Sequence, residues 1–343
     1  MAFLIRQTLV YAIPLMIVAL AGVFAERSGI INLALEGMMI FGAFIGIVCL
    51  NVMVSLGWFD AVKASGNMWN MQWYLLLTML VSAVAGSIFS LLLAFAAINL
   101  KADQTIGGTA LNMLAPAIVL FLVRITAKQN ILQLSSGDSA TWFMVKKSSW
   151  GFAKSYKLSM FGEAFLNKVY LTTYFCILLF VLMAILLYKT KFGLRLRSCG
   201  ENPQAAASLG INVLKMRYAG VMISGALAGL GGCVFAVTTA NCSANGDVAG
   251  FGFLALAVMI FGNWKPLPIA GGAILFGLFK CIAASYNTLD INGDGFYALA
   301  NIGLDSNFYR MLPYLITLIV LSFTSKSSRA PKAEGIPYDQ GSR

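Results

Sequence analysis

The sequence predicts an all-α integral membrane protein, a polytopic bundle of about nine transmembrane helices. Two observations carry this. Of the 343 residues, 59% are hydrophobic and only 11% are charged, where a water-soluble domain carries roughly 25% charged residues. Five windows, Leu9–Ala25, Trp73–Ala97, Tyr170–Leu187, Tyr218–Ala236 and Leu312–Phe323 with its flanks, are nearly free of charge. Most of them approach the ~20 residues that cross a hydrocarbon core. Lipid offers the backbone no hydrogen-bond partner, so such runs must be helices. A β-barrel would instead alternate polar and apolar residues over ~10-residue segments, a pattern the chain lacks.

The spans fall at about 8–25, 30–52, 73–98, 106–125, 169–188, 217–239, 249–263, 267–287 and 308–324. Arg6, the apolar run after it and Val23-Phe24-Ala25 before Glu26 have the outline of a cleaved leader. The next apolar segment follows within a few residues, which favours a retained first span. In the second span Asn32 and Glu36 stand four apart, the spacing that shares one helix face. A charge in a bilayer costs at least ~2.5–3.5 kcal/mol and so faces a wet cavity or an internal partner. Glu36 is therefore either a polar lining or a structural cap.

The fourth span opens Asp103-Gln104-Thr105-Ile106-Gly107-Gly108-Thr109-Ala110-Leu111-Asn112. Adjacent glycines either loosen a helix, and interrupted helices near polar side chains are where transporters build their sites, or simply permit close packing. Arg124 near the end of this span, and Lys280 within the eighth, either snorkel to the outer interface or face the bundle interior or a wet cavity. The sixth span carries Gly225-x-x-x-Gly229, extended by Gly220 and Ser224, a small face for close helix packing.

Basic loops stay cytoplasmic. Residues 189–217 hold Lys189, Lys191, Arg195, Arg197, Lys215 and Arg217 against Glu201 alone, and the tail holds Lys326, Arg329, Lys332 and Arg343 against Glu334 and Asp339. Both can lie inside, because four spans separate them. The loop near 288–307, with Asp290, Asp294, Asp305 and no basic residue, then falls outside, as does the N-terminus. Lys101-Ala102-Asp103 falls inside. One region resists: 126–168 would be external yet carries Lys128, Lys146, Lys147, Lys154, Lys157 and Lys168. Trp142, Trp150 and Tyr156 suit a segment lying along the outer interface. Residues 1–325 thus read as one transmembrane domain, with 126–168 an extracytoplasmic insertion, 189–217 a cytoplasmic loop and 326–343 a polar tail.

Several function classes fall away. The chain has no histidine, which removes His-based acid–base chemistry and the commonest metal ligand. Its six cysteines form no C-x-x-C pair, and four sit inside apolar runs as small hydrophobes. No catalytic or metal-binding residue is assigned. The net charge of +11 is shared between both faces, so no nucleic-acid partner is implied.

The most informative stretch lies outside the membrane. In Glu201-Asn202-Pro203-Gln204-Ala205-Ala206-Ala207-Ser208-Leu209-Gly210, Asn202 is an N-cap, Pro203 suits the first helical position and Gly210 the position past the end. That specifies a helix from Pro203 to Leu209. Two turns are too short to be stable alone in water, so this helix must dock, either on its own bundle or on a partner.

At these residues the chain resembles a known family. Glu26–Met39, Lys101–Gln104, Gly108–Asn112, Gly193–Pro203 and Gly252–Gly262 look like the nucleoside-type ABC importer permeases, in order and over most of residues 5–325. The wider family includes ribose and branched-chain amino-acid permeases. The resemblance implies a type II importer-like bundle in the bacterial cytoplasmic (inner) membrane, with 201–210 as the coupling helix seated in a partner ATPase. Its contact residues would be Glu201, Asn202, Pro203, Gln204, Ala205, Ala206, Ser208 and Gly210. It also implies a second, non-identical permease and an extracytoplasmic substrate-binding protein. Ribose-type relatives have one further N-terminal span.

The chain has no G-x-x-x-x-G-K-[ST], so ATP and Mg belong to the partner and this chain holds no cofactor. The implied cargo is a small polar solute, a purine nucleoside in the narrowest form. Asn32, Glu36, Thr109 and Asn112 would supply hydrogen bonds along its path, and Phe251 or Phe253 a stacking face. Alternatives are a sugar or amino-acid permease of the same family, or an ion-coupled carrier. A carrier would usually bury several carboxylates, whereas Glu36 is the only one well within a span.

Overall fold

A computed structural model of the protein describes residues 2–65, 69–134, 139–151, 159–287, 305–324 and 329–339. The helices in chain order begin with α1 (Ala2–Glu26), α2 (Leu35–Ser55), α3 (Trp58–Ser65), α4 (Trp69–Ala94) and α5 (Gln104–Ala127). Next come α6 (Ser139–Trp142), α7 (Met160–Leu166), α8 (Leu171–Lys189), α9 (Lys191–Glu201) and α10 (Pro203–Ser208). The last are α11 (Val213–Thr238), α12 (Phe251–Phe261), α13 (Pro266–Ser285) and α14 (Ser306–Thr324).

Each of the nine expected spans holds a helix. Among the described residues, seven are long and apolar enough to cross a membrane: α1, α2, α4 with its π-helical extension to Asn99, α5, α8, α11 and α13. The expected span at 249–263 is corrected. Its helix α12 has 11 residues, about 16 Å at 1.5 Å per residue, half of a ~30 Å hydrocarbon core. The left-handed pair Ala249 and Gly250 stops it at one end, and Gly262 stops it at the other. Composition hid this, because the segment is apolar throughout. The second span is corrected likewise: residues 30–34 are not helical, and α2 begins only at Leu35.

α11 is the centre of the bundle, with α4, α2 and α1 packed around it. Its buried residues run without a gap from Leu227 to Thr238, and those of α1 from Ala12 to Glu26. A helix apolar all round belongs inside. Peripheral α5 buries one stripe, Gln104, Gly108, Leu111, Ala115, Val119 and Val123, the spacing of a single helix face. The small face of α11 works as expected. A carbon added to Gly42 of α2 would fall 2.3 Å from the Gly229 carbonyl oxygen, and one on Gly225 2.4 Å from Ser90 of α4.

Contacts at the two ends of the bundle group the connecting segments. Arg6, near the N-terminus, donates from Nη1 to the Asn167 carbonyl at 3.2 Å, placing the N-terminus with the 126–168 segment. Two short antiparallel pairs tie that segment down, β1 (Leu132–Gln133) with β4 (Ser243–Ala244), and β2 (Met144–Val145) with β3 (Val169–Tyr170). Phe143 is fully buried there against Phe59, edge to face at 6.2 Å. Trp150 meets Trp69 edge to face at 5.3 Å. On the opposite face Lys101 lies 3.4 Å from Asp339. Lys154, Tyr156, Lys157, Asp290, Asp294, Lys326 and Arg343 fall outside the described residues.

Overpacking a tight interface costs about 1–3 kcal/mol or more. Gly42→Leu is therefore expected to abolish the monodisperse peak of detergent-extracted protein in size-exclusion chromatography. Gly271→Leu, where nothing lies within 4 Å, should leave that peak intact.

Candidate functional site

The two breaks in the helical pattern meet. After α1 the chain turns at Arg27-Ser28-Gly29, runs non-helically through 30–34 and enters α2. After α11 it passes the 239–250 turns and enters α12. Glu36, in the first turn of α2, reaches the start of α12. Its Oε1 accepts from the Gly250 N–H at 3.0 Å, and its Oε2 from Gly252 at 2.6 Å and Phe253 at 3.2 Å. Helix N-termini leave unpaired N–H groups and a positive dipole end, so a carboxylate there is stabilised although buried. The fit requires glycine at 252, because a Cβ would lie 2.4 Å from the Glu36 nitrogen.

Asn32 is fully buried. Its Nδ2 donates to Ser224 Oγ at 2.8 Å and to Met38 Sδ at 3.6 Å, while its Oδ1 accepts from the Ala34 N–H at 3.1 Å. Because Asn32 precedes α2, it does not share a helix face with Glu36, which corrects the spacing argument. Asn112 of α5 pins the same segment from the other side, accepting from Gly37 N–H at 2.8 Å and donating to the Leu33 carbonyl at 2.7 Å. Gln104 Oε1 accepts from Ile31 N–H at 2.7 Å. Helix α5 runs unbroken through Gly107-Gly108, so of the two readings of that pair close packing is the one observed. Asp103 caps it through Thr105 and Ile106 N–H at 2.8 and 3.0 Å. Gly108 instead admits Leu33, whose Cβ would sit 3.0 Å from an added side-chain carbon.

Asn32, Glu36, Asn112 and Phe251 thus gather at the breaks, with their hydrogen bonds made to the protein itself. Phe251 is buried between Tyr11 and Phe235, with ring centroids at 6.4 and 4.8 Å. Phe253 and Thr109 are exposed, and the Thr109 hydroxyl donates back to the Thr105 or Ile106 carbonyl. Lys280 and Tyr314 join the cluster. Lys280 turns inward: its Nζ donates to the Ala249 carbonyl at 3.0 Å and to Tyr314 OH at 3.5 Å. It also stands 5.0 Å over the Phe251 ring and 5.2 Å over that of Tyr314. The only signal was a lone lysine in an apolar run. Arg124 is exposed and bonds Asn130 at 3.2 Å, as an interfacial residue would.

On the face opposite the N-terminus α10 has the expected caps. Asn202 Oδ1 accepts from the Ala205 N–H at 3.0 Å, Pro203 opens the helix, and Gly210 follows it at φ 78°. The helix ends at Ser208, one residue early. Ala206 is buried against Cys199, Val213 and Tyr338. Glu201, Asn202, Gln204, Ala205, Ser208 and Gly210 are exposed, and Pro203 is half-buried. Glu201 Oε1 pairs with Arg27 Nη1 at 3.2 Å. Gly200 comes so near the Arg27–Gly29 turn that a Cβ there would lie 2.4 Å from the Arg27 carbonyl oxygen. The end of α9, two residues before the capped helix, therefore touches the turn that leads into the Asn32 segment.

Residues 4–321 match the family described as branched-chain amino acid transport system / permease component. The chain is 38% identical over 343 residues to the guanosine ABC transporter permease protein NupQ of Bacillus subtilis strain 168, covering 100% of this chain and 98% of that one. It is 36% identical over 335 residues to the nucleoside ABC transporter permease protein NupC of Lactococcus lactis subsp. cremoris MG1363, covering 98% and 96%. The nucleoside ABC transporter permease protein NupB of the same organism is 24% identical over 284 residues, covering 80% and 71%. No solved structure matches.

Removing the Glu36 carboxylate strands the N–H groups that it caps. Glu36→Ala is expected to lower the melting midpoint of purified protein by about 5–10 °C, at ~1–3 kcal/mol per stranded group. Glu36→Gln, which keeps an acceptor oxygen, should lose about half as much. Equal midpoints for Glu36→Ala and the parent protein would exclude the cap.

Proposed function

The chain belongs to the branched-chain amino acid transport system permease family, and on that premise we propose that it is the translocating subunit of an ATP-driven nucleoside importer in the bacterial cytoplasmic membrane. The observation that carries the mechanism is the seat of Gly200 on the Arg27–Gly29 turn. Exposed α10 is the coupling helix, and a partner ATPase moves it. The movement passes through Gly200 to residues 30–34, which end at the Asn32, Asn112 and Glu36 bonds. The breaks at α2 and α12 then shift against each other, opening the path to one side or the other.

Nucleoside is the favoured cargo because the guanosine and nucleoside permeases are matched over nearly the whole chain. Asn32, Glu36 and Asn112 hold the walls of the path, their polar atoms being engaged by protein. The exposed Phe253 ring and Thr109 face it. Their exposure fits a path lying between this chain and a second permease. That partner is a non-identical one: Lactococcus lactis has both NupC and NupB, and this chain is 36% identical to the first and 24% to the second. With no P-loop motif in this chain, the ATPase holds ATP and Mg, and a substrate-binding protein delivers cargo to the outer mouth.

The test is uptake of labelled guanosine into proteoliposomes holding both permeases, the ATPase and the binding protein. Base–aromatic stacking is worth about 1–3 kcal/mol, so Phe253→Ala should raise the uptake KM about tenfold while ATP hydrolysis persists. Ala205→Glu on the exposed face of α10 should prevent co-purification of the ATPase. Unchanged uptake in both variants would sink the proposal.

A further inference from the structure

The end of the chain reads in sequence as a polar tail, yet residues 329–339 are folded onto the cytoplasmic face. The Arg329 N–H donates to Asn263 Oδ1 at 2.9 Å, and the Ala333 N–H to the Gly200 carbonyl at 2.8 Å. The Gly335 N–H donates to the Gly29 carbonyl at 3.2 Å. Gly335 has φ 75°, and a Cβ there would lie 2.8 Å from Ile31 Cδ1. Buried Arg217 of α11 donates from Nη1 to the Ile336 carbonyl at 3.0 Å. Tyr338 is buried against Cys199, Ala206 and Val213. The Asp339 carbonyl accepts from Gln204 Nε2 at 3.1 Å. A solvated tail would make none of these bonds. Seven residues, 333–339, touch α10, the Gly200 seat, the Gly29 turn and the base of α11 together.

We infer that residues 333–339 are a positioning strap, tying the coupling helix to the segment that carries Asn32 so that the two move as one body. The inference rests on the coupling role of α10 proposed above. Tyr338 is its anchor, since its ring fills the space between α9, α10 and α11. Glu334 makes the tie sensitive to protons. It faces Glu26 at the end of α1, with which its buried carboxyl shares a hydrogen bond, and Arg27 is the neighbouring cation. Glu26 in turn accepts from the Trp264 indole N–H.

Burial pushes Glu334 up to about 7 from an ordinary value of 4.5, against the opposing pull of its hydrogen bond to Glu26 and of the Arg27 cation. The docked strap thus keeps a proton that a free strap has lost. Docking is full below 4.5, weakens as pH rises toward 7 and stays weakened above it.

The first measurement is hydrogen exchange on the purified chain, with neither ATP nor nucleoside present. Ending the chain after Lys332 should speed exchange at the Ile31, Ala34 and Gly37 amides about fivefold or more. Tyr338→Ala should do the same and Tyr338→Phe should not. In the assembled importer the shortened chain should still co-purify the ATPase, while guanosine moved per ATP hydrolysed falls at least about fivefold. That ratio should also decline from about pH 5.5 to about pH 7.5 in the parent protein and stay flat when Glu26 and Glu334 are both replaced by glutamine. Unchanged exchange in the shortened chain overturns the strap. So does loss of the ATPase, which would make the tail part of the dock itself. Faster exchange with no guanosine moved by either protein would leave the strap standing and overturn the cargo assignment instead.

Discussion

The Glu36 carboxylate at the start of α12 is the contact on which the rest of the bundle depends. An 11-residue helix starting inside a hydrocarbon core leaves several N–H groups facing no water, each costing kilocalories if unpaired. One side chain takes three of them, at Gly250, Gly252 and Phe253, and its charge opposes the dipole end that they create. Lys280 closes the other side by taking the Ala249 carbonyl. A carboxylate and an ammonium that would each be expensive in lipid are thus both bonded to one broken helix. Neither is free to serve as an ion-coupling group, which argues against a gradient-driven carrier.

The bond can form only because the surrounding helices come close. Glycine faces glycine where α2 meets α11 and where α4 meets α11, with no room for a side-chain carbon at Gly42, Gly86, Gly225 or Gly229. Such contacts bring backbone against backbone and favour dispersion over a large area. They fix the height of α2 relative to α11, and so the position of Ser224 opposite Asn32. The rigid part of the molecule is α1, α2, α4 and α11. The non-helical stretch 30–34 threads through it and is held by side chains from α5 and α11.

That arrangement links the two ends of the molecule. In the proposed mechanism the path runs from exposed α10 through Gly200 to the Arg27–Gly29 turn, and from there over residues 30–35 to Glu36 and α12. The Arg27–Glu201 ion pair on this route is solvent-facing on the Glu201 side, and such pairs contribute little energy. The backbone contact at Gly200 is the stiffer element, since atoms that already touch transmit displacement without slack.

Features set by local chemistry were legible in the sequence. The spans follow from composition because lipid forces helices. The α10 helix follows from Asn202, Pro203 and Gly210 because capping involves residues within one turn. The small face of α11 follows from the spacing of Gly225 and Gly229. What the sequence could not decide was where an apolar run stops being helical. Residues 30–34 and the short α12 look like membrane spans, and only partners 70 or more residues away, Gln104, Asn112, Ser224 and Gly250, show that they are breaks. Lys280 and residues 329–339 were ambiguous for the same reason: their contacts lie on elements distant in the chain. Local periodicity determined what each segment is, and tertiary packing decided which buried polar group answers which.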